Sequence, residues 1–274
     1  MHIAGIVLYN PDLERLKENI EAIAPQVDLI YFVDNGSGNI SETEIMLRGY
    51  NKVVLHKNVK NMGIATALNQ LTTFARDNGA EWILTLDQDS ISEHGLIEAY
   101  EKSTENLLDA GMLTCVIEDR NTHKRTPVSG DFCEVDNCIT SGSYLNIAAW
   151  GKVGGFDEKM FIDYVDFDMC QMLHEAGYRV YRINYYGLYH EVGKSKIVSF
   201  LGRKETCYGH SAFREYYCVR NHIYYARKHQ KYLNKWREYG RVVKHMILVS
   251  VYEDDGWNKL KMMFKGLKDS RYLT

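Results

Sequence analysis

Two carboxylates one residue apart close a short apolar run: Trp82-Ile83-Leu84 leads into Thr85-Leu86-Asp87-Gln88-Asp89-Ser90. Acidic groups at that spacing repel each other unless a cation lies between them. Hard divalent ions such as Mg²⁺ and Mn²⁺ take carboxylate oxygens and keep positions open for phosphate. Ligands bind at the carboxyl ends of strands in an open α/β sheet, so the pair reads as a metal–diphosphate site. A solvated acidic turn would use the same residue types, because Asp and Ser are turn formers. The rest of the chain has to decide between the two.

A second acidic group lies in Phe161-Ile162-Asp163-Tyr164-Val165-Asp166-Phe167-Asp168. The stripe Val165, Met169, Met172/Leu173 and Ala176, stopped by Gly177, predicts a helix that this segment opens. Asp163 and Asp166 then sit at its N-terminal end, where the helix dipole favours the ionised form. N-capping accounts for one aspartate, not for three in six residues. His190 stands at a strand end, where a metal or phosphate ligand and a structural histidine are both reasonable. Further on, Arg214, Arg220 and Asn221 are interleaved with Tyr216, Tyr217, Tyr224 and Tyr225. Arginine forks suit diphosphates, while a tyrosine-rich packing face is the plain alternative.

The elements that must position these residues are legible. Strands are expected at Ile3–Tyr9, Leu29–Val33, Val53–Leu55 and Trp82–Leu86, with helices after Asp12, after Asn61-Met62-Gly63, and over about 93–108. That alternation predicts an α/β fold with a mostly parallel twisted sheet. Asn10, Asp34-Asn35-Gly36-Ser37 and Asp87/Asp89 then share one sheet edge. A base and ribose could be held there by the backbone at Leu8–Asn10 and by Asp34, an acceptor for a pyrimidine imide N–H. Strands follow at Met112–Val116, Phe132–Ile139, Tyr144–Ile147, Tyr178–Ile183 and Gly187–His190, and from about Thr206 the chain reads as helical. The expected division is residues 1–200, in a nucleotide-binding half to about 110 and an acceptor half after it, followed by a basic helical extension over 201–274.

With 45% hydrophobic and 25% charged residues among 274, the composition is that of an ordinary globular protein. The six cysteines are scattered without zinc-ligand spacing, which fits reduced thiols in a cytoplasmic protein. Met1-His2-Ile3 runs directly into a strand, so no secretory leader is expected, and no run approaches the roughly 20 apolar residues of a membrane span. From Leu201 onward 16 Lys/Arg stand against 7 Asp/Glu, a balance of +9 that leaves −12 for the first 200 residues. Such asymmetry suggests an anionic partner for the tail. Trp257, Leu260, Met263, Phe264 and Leu267 interleaved with lysines form an amphipathic basic helix, suited to a membrane surface, to packing on the body, or to a homodimer.

Taken together, the ordered set resembles family 2 glycosyltransferases of GT-A fold, particularly bacterial rhamnosyltransferases of surface-polysaccharide synthesis. It runs through Val7–Pro11, Val33–Ser37, Asn61–Ala65 with Asn69, Leu86–Ser90, Gly154–Glu158, Asp163–Cys170, His190–Gly193 and Arg214…Arg220-Asn221, over residues 1 to about 225. The resemblance implies an inverting, Mg²⁺- or Mn²⁺-dependent transfer from dTDP-L-rhamnose, or alternatively a UDP-hexose, to a saccharide or polyprenyl-diphosphate-linked acceptor. It implies Asp34 on the base, Asp87 and Asp89 as the DxD-type motif with Asp89 the direct metal ligand, and His190 at the diphosphate or metal. Tyr9, Asn10, Asn61, Gly63, Gln88, Ser141, Gly142, Arg214 and Arg220 complete the nucleotide-sugar site. Asp166 matches the second residue of the family's Glu-Asp pair, the general base. Val165 replaces the glutamate, which leaves Asp163 as the other choice. The implied location is cytoplasmic, at the inner face of the membrane, and nucleic acid is not an expected partner. Two rivals use the same residues: Asp87-Gln88-Asp89-Ser90 also resembles the start of aspartyl-phosphate phosphatases, which carry it on their first strand, and a degenerate site would leave a non-catalytic nucleotide-sugar binder.

Overall fold

A computed structural model of the chain describes residues 1–119, 129–190 and 196–273, without the side chains of Asp119 and His190. It divides into two compact units, one of Met1–Glu158 with Asp166–Glu191 and one of Lys159–Val165 with Val192–Thr274.

In the first unit the chain alternates through β1 (Ile3–Leu8), α1 (Leu13–Ile23), β2 (Leu29–Asp34), α2 (Ile40–Leu47), β3 (Val53–Lys57), α3 (Ile64–Asp77) and β4 (Trp82–Asp87). It continues with β5 (Ile91–Ser92), α4 (Leu96–Thr104), β6 (Ala110–Asp119), β7 (Phe132–Glu134), β8 (Ser143–Asn146), α5 (Ile147–Val153), α6 (Val165–Glu175) and β9 (Arg179–His190). The sheet order is β3-β2-β1-β4-β8-β6-β9-β5, with β7 paired to β9. β3, β2, β1 and β4 are mutually parallel, β8 is antiparallel to both β4 and β6, and β6 and β9 are parallel. The expected α/β sheet is present.

Helix α1 shows how sequence becomes packing. The Asp12 side chain caps it by accepting from the N–H groups of Glu14 and Arg15, which satisfies donors no helix can pair internally. Leu16, Ile20 and Ile23 fall on one face and are fully buried against Ile6, Leu8 and Phe32, each contributing about 1.5–3 kcal/mol. Asn19 is a polar residue on that same buried face.

Helices α2 and α5 were not expected, and the elements differ from expectation in four further places. Helix α4 begins at Leu96 rather than 93, because Ile91 and Ser92 pair with β9 and Gly95 takes a left-handed φ of 84° before the helix. The strand expected over Phe132–Ile139 ends at Glu134, and the following residues loop toward Ser141. The two strands expected at Tyr178–Ile183 and Gly187–His190 are one, with register shifts against β6 around Val116. Finally, the helical stretch expected from about Thr206 begins only at Ala212, and residues 203–207 are a strand. They form β11 (Arg203–Cys207), paired antiparallel with β10 (Lys196–Phe200), because the polar and β-branched residues there pair side by side across Leu201-Gly202.

The second unit continues with α7 (Ala212–Lys228), α8 (Lys235–Tyr252) and α9 (Gly256–Asp269). Their core is Val219, Ile223, Val242, Met246, Val249 and Met263. At Gly266 a Cβ would strike the Tyr216 carbonyl of α7, so only glycine lets these two helices approach so closely. Inside the unit, His222 Nε2 lies 2.9 Å from Glu238 Oε2. Burial pushes the His222 imidazole below its ordinary value despite the attraction of Glu238, and burial with the neighbouring Arg214 charge does the same to His210. Glu238 is held below its ordinary value, its burial being outweighed by hydrogen bonds from His222 and Arg241.

A histidine lowered in the folded state takes up protons more readily once unfolded, and so does a lowered carboxylate. Both signs make stability fall as pH drops. The thermal midpoint is therefore expected to hold between about pH 7.5 and 8.5 and to fall below about pH 6.5, where unfolded histidine protonates, with a further loss through the carboxylate range. Scanning calorimetry across pH checks this.

Candidate active site

The register of three parallel strands builds one edge. Leu8 at the end of β1 pairs with Asp34 on one side, and Val7 pairs with Asp87 on the other. The β2 and β4 ends thus flank β1, about 10 Å apart at two strand spacings.

Asp34 is 2% exposed. Its Oδ2 accepts from the N–H groups of Gly36 and Ser37, both at 3.1 Å, while Oδ1 is buried with no hydrogen-bond partner. A buried acceptor left unmade costs about 1–3 kcal/mol, so this oxygen is open to a donor from water or a ligand. Gly36, at φ 83°, lets the Lys60–Asn61 backbone pass so close that a Cβ would lie 2.7 Å from the Lys60 carbonyl carbon. The neighbouring Asn35 fastens that second loop. Its Nδ2 donates to Asn61 Oδ1 and to the Gly63 carbonyl, and its Oδ1 accepts from Met62 N. Asn61 Oδ1 also accepts from Gly63 N ahead of α3. Asn10 has a φ of 47°, its N–H donates to Ser37 Oγ, and its Oδ1 accepts from Gly38 N.

The acidic pair is held from three directions. Buried Asn19 on α1 donates from Nδ2 to the carbonyls of Asp87 at 2.9 Å and Ser90 at 2.6 Å. Ser141 Oγ accepts from Asp87 N and bonds Ser90 Oγ, and Gly142 N donates to Thr85 O. The Tyr100 hydroxyl donates to the Gly142 carbonyl from beneath. The Gln88 amide pairs with the Tyr9 peptide: Tyr9 N donates to Oε1 at 2.9 Å, and Nε2 donates to Tyr9 O at 3.3 Å. Gln88 is thus a strap between β1 and β4. The half-buried Asp89 carboxylate has no hydrogen-bond or ion-pair partner among the described residues.

Asp166 lies in the first turn of α6, half-buried, with Oδ1 accepting from Phe167 N at 2.9 Å. Asp168 is fully buried. Asp163 belongs to the second unit. There Arg214 grips it, with Nε and Nη2 donating at 2.9–3.2 Å, and Cys218 Sγ lies 3.2 Å from Oδ2. Asp163 and Tyr164 take φ values of 66° and 67°, a conformation non-glycine residues adopt at some cost. Asn221 Nδ2 donates to the carbonyls of Ile162 and Asp163, and Arg220 Nη2 donates to the Lys159 carbonyl while lying over the Tyr217 ring. Both expected diphosphate-binding arginines therefore have partners inside their own unit, where they shape the segment leading to Asp166. The His190 side chain and Glu191-Val192-Gly193 lie outside the described residues.

No group of three His, Cys, Asp or Glu side chains able to hold a metal occurs among the described residues. Two carboxylates, one of them unpartnered, nevertheless fit a hard divalent cation that takes one or two protein oxygens and completes its shell with water and substrate phosphate.

Asn19, Asn35 and Tyr100 are supports that sequence reasoning did not single out. Asn19 carried a signal, a polar residue inside an otherwise apolar stripe. The partners of Asn35 and Tyr100 are 26 to 42 residues distant, and no local spacing reveals them.

A mixed α/β sheet of this order, with an acidic pair closing a central strand, defines a GT-A glycosyltransferase. Solved structures agree. TarS of S. aureus, residues 1–349 in complex with UDP-GlcNAc, aligns with a TM-score of 0.62 at 14% identity over 100% of this chain and 82% of that one. GalNAc-T7 with UDP, GalNAc and Mn²⁺ aligns at 0.62 and 12% identity, over 99% of this chain and 55% of that one. The model of glycosyl transferase family 2 matches residues 4–152, and the chain belongs to that family. It is 29% identical over 278 residues to the dTDP-rhamnosyl transferase RfbF of Shigella flexneri, across 96% of this chain and 91% of that protein. The protein is a glycosyltransferase.

Proposed function

We propose that the protein transfers L-rhamnose from dTDP-L-rhamnose, with inversion, to a hydroxyl of a saccharide or lipid-linked saccharide in bacterial surface-polysaccharide synthesis. The observation that carries the donor reading is the buried, unpartnered Asp34 Oδ1 standing across β1 from the Asp87–Asp89 pair. A pyrimidine imide N–H would supply the donor that oxygen lacks, and the two strand ends stand about 10 Å apart across β1. The likeness to a dTDP-rhamnosyl transferase supports thymidine and rhamnose over a UDP-hexose.

Asp87 and Asp89 would hold Mg²⁺ or Mn²⁺, which when bound offsets the charge that develops on the leaving diphosphate. Asn19, Ser141 and Gln88 keep that acidic turn in place. A hydroxyl is a poor nucleophile until a carboxylate takes its proton in the transition state. Asp166 is the carboxylate for that step. Its helix N-terminus favours the ionised form, whereas Asp163 is spent on Arg214 and Asp168 is buried. One base suffices for a single displacement, so no nucleophilic carboxylate is required.

Nucleoside diphosphate release from dTDP-L-rhamnose, UDP-glucose, UDP-galactose and UDP-GlcNAc, with and without Mn²⁺, tests the reading. Fastest turnover of dTDP-L-rhamnose with metal is expected, and preference for a UDP-sugar would replace the donor. Asp34→Asn turns the imide acceptor into a donor with no change in size. It is expected to weaken dTDP binding about 10- to 100-fold, the worth of a charge-assisted hydrogen bond of about 1.5–3 kcal/mol. Titration calorimetry checks this, and unchanged affinity would remove Asp34 from the base site.

A further inference from the structure

The exposed side chains of the second unit include long lines of apolar residues beside unpaired cations. On α8, Trp236, Val243, Ile247 and Val251 are 73, 56, 42 and 66% exposed. Their spacing of seven, four and four residues puts them in one line along the helix. On α9, Trp257 and Phe264 are 70 and 56% exposed and share a face with exposed Lys261, Lys265 and Lys268. The β10–β11 hairpin adds Ile197 and Leu201, 72 and 87% exposed, beside Lys196, Arg203 and Lys204. The hairpin is tied to the same helices: Tyr252 Oη donates to the Ser199 carbonyl at 2.8 Å, and Lys244 Nζ pairs with Glu205 at 2.6 Å. The tip of the hairpin is thus fastened to the end of α8, four residues before α9 begins. None of these six flanking cations is in an ion pair among the described residues.

We propose that the exposed face of α9 docks the protein on a membrane surface bearing anionic phospholipid headgroups. Trp257 and Phe264 enter the boundary between headgroups and acyl chains, while Lys261, Lys265 and Lys268 on the same helix face meet lipid phosphates. Aromatic and aliphatic side chains ringed by cations are what such a boundary accepts. Charge decides against a second copy as the occupant. A two-fold contact places a patch against its own copy, and here that would bring two cation-rich surfaces together. No helix among the described residues is long and apolar enough to cross a membrane, so the contact is one of adsorption. It brings the enzyme to the surface where a lipid-linked acceptor would reside, yet it is read without any turnover and stands or falls apart from the donor assignment.

Sedimentation of the full chain with lipid vesicles tests it, using pure phosphatidylcholine and a phosphatidylcholine–phosphatidylglycerol mixture. Binding is expected only to the mixture, and it should weaken with added salt. Replacing three lysines, in K261Q/K265Q/K268Q, is expected to lower the partition coefficient on the order of a hundredfold, roughly fivefold for each cation near the surface. W257A/F264A should lower it at least about tenfold. Both variants alter exposed side chains and should keep the parent's circular dichroism and donor hydrolysis. Equal binding to both vesicle types, no binding, or variants that bind like the parent would overturn the proposal. So would light scattering that finds a dimer which W257A/F264A converts to a monomer.

Discussion

Asp166→Asn is expected to lower sugar transfer about a thousandfold while leaving donor binding within a factor of about three. Removing a positioned base costs about 10²- to 10⁴-fold in the chemical step. The amide keeps the shape of the carboxylate and can still accept from Phe167 N, so the helix start should persist. Single-turnover transfer separates the chemical step from binding, and its rate against pH should lose the acidic limb that the carboxylate imposes. Asp163→Asn is the informative companion. Its expected effect is on the second unit, where Arg214 would lose its ion pair, and it should appear as a lower thermal midpoint. A thousandfold loss from Asp163→Asn with near-normal transfer by Asp166→Asn would exchange the two roles.

Asp89→Ala is expected to slow cleavage of the sugar nucleotide by about two to three orders of magnitude, the usual effect of removing a group that stabilises transition-state charge. Compensation is not available nearby: among the described residues no set of three metal-ligating side chains stands in for the acidic pair. The fold should be indifferent to the change, because the Asp89 carboxylate bonds to nothing in the described chain. The turn itself is kept by Asn19 and Ser141 through backbone atoms that alanine retains. Initial rates at saturating Mn²⁺, beside an unchanged melting curve, check both halves. A rate within about fivefold of the parent would move the metal elsewhere.

The edge of β1, β2 and β4 was legible in the chain because parallel strands repeat a local rule: an apolar run, then a polar end. Asp34, Asp87 and Asp89 needed only that rule to be placed together. Asp166 and Asp163 could not be told apart by spacing, since both precede the same helical stripe. The difference between them is Arg214, 51 residues further on. The hairpin Lys196–Cys207 was missed because its pairing is with itself on a surface, and polar strands of that kind carry no strong two-residue apolar alternation. Gln88 was expected at the nucleotide, and its placement on the Tyr9 peptide follows from a contact 79 residues apart in sequence. Local pattern thus located the strand ends, whereas long-range hydrogen bonds settle which side chains are straps and which stand open.

Titration of dTDP into the intact chain, with and without Mn²⁺, bears most directly on the claim that one sheet edge holds base, diphosphate and cation together. Metal should tighten dTDP at least about tenfold in the parent, and that gain should vanish in Asp89→Ala. Affinity indifferent to the metal, or a gain that survives the loss of Asp89, would contradict it.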